Sequence, residues 1–77
     1  MEEVTNRFFE QLKKHKIKQR NISNGINVTD EYISRIKTHH VRLSMRLLVY
    51  AVQTYPQLDI DYILRGSSQE LPNDFIN

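Results

Sequence analysis

With 77 residues, 39% of them hydrophobic, two glycines, two prolines and no cysteine, the chain is sized for one small domain. That composition excludes a disulfide scaffold, a zinc site built on thiolates and a turn-rich all-β architecture. The net charge is only +2, but residues 11–46 carry nine Lys and Arg against Asp30 and Glu31, a local +7, while residues 1–10 sum to −2 and residues 47–77 to −3.

The start, MEEVTNRFF, is acidic and then aromatic, unlike a secretory signal, and no apolar run approaches the ~20 residues of a membrane span. A cytoplasmic location is expected. The first helix is expected over about residues 3–15, with Phe8 and Leu12 as its buried stripe and Val4 and Phe9 at the margin. Ile17 then plugs the core before a second helix at about 19–26, in which Ser23 allows close packing. Gly25 lies inside that helix at a cost of roughly 1 kcal/mol against alanine, for which close packing or a mobile helix end are both candidate reasons. Asn27 tolerates the left-handed backbone that stops a helix, and Thr29 is a good N-cap. A third helix follows over about 30–38, with Ile33 and Ile36 on its inner face. Helix, left-handed stop, apolar Val28, N-cap and helix together describe a helix-turn-helix.

Ser44 is the candidate cap of a fourth helix, 45–54, carrying Leu47, Leu48, Ala51 and Val52 and closed by Pro56. Asp59 caps a short fifth helix, IDYILR, that stops at Gly66. The fold class is therefore all-α, with residues 1–66 forming the helix-turn-helix domain. Residues 67–77, SSQELPNDFIN, form a polar tail in which Phe75 and Ile76 are the docking candidates.

Gln19 opening the second helix, the block NVTDEYISRI at 27–36 and the closing LDIDYILRG at 58–66 resemble the lambda-repressor-like (Cro/C1-type, XRE family) helix-turn-helix domains. The resemblance covers about residues 8–66 and implies a compact five-helix domain that binds operator-type double-stranded DNA, often as a homodimer. It implies roles residue by residue. Gln19 braces on a phosphate and Thr29 caps the recognition helix beside another. Asp30, Glu31 and Arg35 face base edges, with Tyr32 at the groove wall. Thr38, His40 and Arg42 grip the far backbone, with Lys37 at the end of the recognition helix. The chain departs from the family pattern at Asn27 and His39, where glycine is common, at Lys37 and Leu12, where a glutamate and its arginine partner occur, and at Leu43, a frequent proline position.

The chemistry of these side chains sharpens the expectation. Arg35 can make a bidentate contact to guanine O6 and N7, while Asp30 or Glu31 can accept from cytosine N4. For Asp30 the first expectation is helix capping; for Glu31, capping and readout stay open. Tyr32 is either a groove contact or a half-buried brace of the second helix. His39 and His40 are neighbours that do not point at one ion, and His15 belongs to another helix, so no metal or other cofactor is expected. Serines lack a base-and-orienter context and no glycine-rich phosphate loop exists, so no enzyme is expected. Sequence-specific DNA binding by a small homodimeric transcriptional regulator is the leading expectation, with dimer contacts from Ile60, Tyr62 and Ile63, although burial in the monomer core explains Ile63 equally well. No small-molecule ligand is evident. The alternative is a protein-interaction module, antitoxin-like or regulator-binding, that keeps the fold without base readout.

Overall fold

Five helices make up residues 2–66, the part of the chain that the computed structural model describes: α1 Glu2–Lys14, α2 Gln19–Gly25, α3 Asp30–Lys37, α4 Met45–Thr54 and α5 Ile60–Arg65. The expected tail at 67–77, with Phe75 and Ile76, lies outside the described residues. No strand occurs among the described residues, and no helix there is long and apolar enough to cross a membrane. Observed helix ends fall within one residue of the expected ones.

Helix starts follow local chemistry. Thr29 Oγ1 accepts from Tyr32 N at 3.0 Å, Ser44 Oγ from Leu47 N at 3.1 Å, and Asp59 Oδ1 from Tyr62 N at 3.0 Å. Each side chain satisfies one backbone donor that the helix itself cannot. Glu2 and Glu3 open α1 and Lys13 and Lys14 close it, both favourable to the helix dipole.

Three helices stop in the same way. Lys16, Asn27 and His39 take positive φ of 59°, 60° and 68°. After each, an N–H reaches back across the last turn: Ile17 to Leu12 O at 2.8 Å, Val28 to Ser23 O at 2.9 Å, and His40 to Arg35 O at 2.9 Å. These are Schellman closures, built without glycine. Asn27 and His39 occupy their expected left-handed positions; Lys16 is the third and carries no such signal. A long side chain at that φ strains the backbone, so Lys16→Gly is expected to raise stability by about 1 kcal/mol. An unchanged or lower urea midpoint would contradict this.

The core joins Phe8, Phe9 and Leu12 of α1 to Ile22 and Ile26, Ile33 and Ile36, Leu43, Leu47, Leu48 and Ala51, Leu58 and Ile63. Phe9 is buried rather than marginal, and its ring meets Phe8 edge-on with centroids 5.2 Å apart. Helix α1 packs on α5 and α3, while α2 packs on α3 and α4. The α1–α5 contact is also polar. Arg7 Nε donates to Ile63 O at 2.9 Å and Nη2 to Leu64 O at 3.3 Å, placing a cation on the carbonyl end of α5. Buried Gln11 accepts from Asp59 N at 3.1 Å. The Tyr62 hydroxyl donates to Glu10, and that bond, with desolvation and the Glu10 charge, holds the phenol above its ordinary pKa of 10.0 despite the opposing Arg7 charge.

Gly25 owes its place to close packing. A Cβ there would fall onto the hydroxyl end of the Tyr50 side chain from α4, so the glycine admits that phenol against the end of α2.

Candidate functional site

Helix α3 advances about 100° per residue, so its eight positions sort into faces. Ile33 and Ile36, both fully buried, point to the core. The opposite face carries Glu31, Ser34, Arg35 and Thr38, all exposed. Asp30 and Lys37 fall on one flank and Tyr32 on the other. Sequence reasoning alone passes over Ser34, although its i+3 and i−4 spacing to Glu31 and Thr38 places it on their face.

Asp30 turns away from the open face. Its Oδ1 accepts from the hydroxyl of Ser23, only 1% exposed, at 2.5 Å, and its Oδ2 lies 3.5 Å from Arg20 Nε. The carboxylate thus ties α3 to α2 across the turn, a role beyond the capping or cytosine contact expected of it. Ser23 accordingly does more than leave room: its hydroxyl also lies 3.0 Å from Arg20 O.

Glu31 is paired as well. Arg35 Nη2 donates to Glu31 Oε1 at 3.0 Å, one helical turn apart, with side chains 60% and 72% exposed respectively. Such an exposed pair stabilises a helix by only about 0.3–0.5 kcal/mol. Its consequence is orientation and local neutrality. The two carboxylates at the start of α3 therefore do not project unpaired negative charge: each has an arginine.

The flanking positions supply cations. Among the described residues the ion pairs are Arg20–Asp30 and Arg35–Glu31, which leaves exposed Lys37 and Arg42 without a carboxylate partner. Gln19, half-buried at the start of α2, shares an open cleft with Lys13 and Lys37. Thr38 donates to Ser34 O at 3.1 Å, and its hydroxyl lies 2.8 Å from His40 Nδ1, fixing the imidazole beside the end of α3. His39 Nε2 donates to Asn6 Oδ1 of α1 at 3.0 Å. Among the described residues no three His, Asp or Glu side chains are placed to hold a metal ion. Tyr32 is half-buried and packs on the core, as a brace would.

Arg46 belongs to a different class from its basic neighbours. Its Nη2 donates to Ile26 O at 3.2 Å, pinning α4 to the turn between α2 and α3. Only three-dimensional proximity reveals this, because the two residues are 20 positions apart.

Of the α5 residues expected at a dimer contact, Ile63 is fully buried and belongs to the monomer core, while Ile60 and Tyr62 are half-buried. Leu64, 46% exposed, is the apolar surface residue of that helix. Comparisons with protein-family models, with curated proteins and with solved structures find no match to this chain.

Proposed function

We infer that the chain is a small lambda-repressor-like helix-turn-helix domain that binds double-stranded DNA sequence-specifically and regulates transcription, with α3 as the recognition helix in the major groove. The observation that carries this reading is the open face of α3: Glu31, Ser34, Arg35 and Thr38 exposed together, both acidic residues of the helix paired with arginines, and Lys37 and Arg42 at the margins. A major groove admits one helix, and such a face offers donors for base edges with cations for the flanking phosphates. Gln19, His40 and Thr29, the N-cap of α3, serve the backbone contacts. The proposed species is a homodimer whose recognition helices sit about 34 Å apart on two half-sites. Ile60, Tyr62 and Leu64 are the α5 residues available for it. No catalysis, cofactor or metal enters the proposal.

Selection of binding sites from random duplexes tests it directly: a motif should be enriched, and weak binding to every duplex with no enriched sequence would refute it. Lys37→Ala and Arg42→Ala should each weaken binding to all duplexes alike. Each should also flatten the plot of log K against log salt by roughly 0.9, the slope that a single phosphate interaction supplies. A change confined to one sequence would instead make that residue a base reader.

The second reading, a protein-interaction module of antitoxin or regulator-binding type, has one observation in its favour. Met45 and Val49, 68% and 40% exposed, stand one turn apart on α4 as an apolar surface. In that case Met45→Asp should abolish association with a protein partner, and no duplex should be selected.

A further inference from the structure

The Glu31–Arg35 pair carries more information than two independent side chains. Arg35 uses one N–H of Nη2 on Glu31 Oε1. A guanidinium has five N–H donors, so Nη2 keeps one and Nη1 keeps both. Glu31 keeps Oε2 and spare lone pairs on Oε1, next to those donors. Taken from Nη1 through Nη2 to the Glu31 carboxylate, the bonded pair can offer donor, donor, acceptor in that order.

We propose that Glu31 and Arg35 read a single G·C base pair as one unit, Arg35 on the guanine and Glu31 on its paired cytosine. The inference rests on the DNA-binding reading above and names its target. In the major groove a G·C pair displays guanine N7 and O6 as acceptors and cytosine N4 as a donor, the complement of the protein's order. An A·T pair displays acceptor, donor, acceptor, so two of three positions oppose like with like. The reversed C·G pair sets its N4 donor against the Nη1 donors. Glu31 thus rejects wrong pairs and holds Arg35 in place; it is a specificity residue rather than a source of affinity. Its charge is tolerable near phosphates because Arg35 neutralises it.

The test compares base preference, column by column, for duplexes selected by the wild type, Glu31→Ala, Glu31→Gln and Arg35→Ala. Both positions are exposed, and circular dichroism confirms folding of each variant. The wild type should select one guanine column, and 7-deazaguanine there should weaken binding about tenfold. Arg35→Ala should erase that column. Glu31→Ala should lower G·C over A·T discrimination at the same column by about tenfold, with Glu31→Gln, which keeps one acceptor, losing less. The proposal is overturned if Glu31→Ala leaves that column intact while strengthening binding to all duplexes. It is equally overturned if the two residues govern different columns, in which case DNA binding itself stands. A wild type that selects no column at all removes both this proposal and the DNA-binding reading.

Discussion

Phe8→Ala is expected to cost the domain about 3–5 kcal/mol of stability, the largest loss of any single truncation in the core. Phe8 is fully buried in a core shared by all five helices, and its ring packs edge-on against Phe9. Emptying such a site costs about 3–5 kcal/mol, part lost transfer energy and part residual cavity. A domain of this size has a total stability of about 4–12 kcal/mol, at roughly 0.05–0.15 kcal/mol per residue. The substitution thus removes between a quarter and all of it. Urea titration followed by far-UV circular dichroism measures the loss, and Met45→Ala on the surface is the control, expected within about 0.5 kcal/mol of the wild type. A Phe8→Ala loss under about 1 kcal/mol would mean that the core relaxes around the gap and that α1 is not an integral part of it.

Arg35→Ala is expected to lower affinity for the selected duplex by about 1–3 kcal/mol, roughly 5- to 150-fold, while leaving binding to unrelated duplexes nearly unchanged. The side chain stands in the middle of the open face of α3, and its packing role is small. Removing its exposed pair with Glu31 costs the fold only about 0.3–0.5 kcal/mol. Folding and readout therefore separate cleanly in this variant. Fluorescence anisotropy at one fixed salt concentration, on the selected and a scrambled duplex, gives both numbers. An equal loss on the two duplexes would make Arg35 a phosphate contact and would shift base reading to other residues. Lys37→Ala and Arg42→Ala supply the contrast, because their effect should appear on both duplexes and in the salt slope.

The two expectations draw on different kinds of legibility. Phe8 is recognisable as core from its spacing to Leu12, and the helix caps from Thr29, Ser44 and Asp59. Caps act between a side chain and a backbone N–H three residues on, so a few consecutive letters suffice. The left-handed stops at Asn27 and His39 are legible for the same reason, since those residue types tolerate positive φ. Lys16 is not legible. Nothing in a lysine favours φ of 59°; the core position of Ile17 after it, and the bond from Ile17 N to Leu12 O, impose it.

The acidic start of α3 shows the other limit. Asp30 and Glu31 are adjacent in sequence and chemically alike, yet their environments differ. Glu31 meets Arg35 four residues on, a pairing that helical spacing makes readable. Asp30 meets Ser23 and Arg20, which lie on another helix across a turn.

By itself the sequence determined the five helices, their caps, their inner faces and the concentration of positive charge in residues 11–46, because each depends on neighbours within a turn or on composition. Only the tertiary structure decided that Asp30 clamps α2, that Arg46 holds the turn, that Arg7 closes α5, that Gly25 makes room for Tyr50, and that Ile63 belongs to the core. Each of those depends on helix packing. The direction in which one helix crosses another follows from the fit of many side chains at once, and no local run of residues contains it.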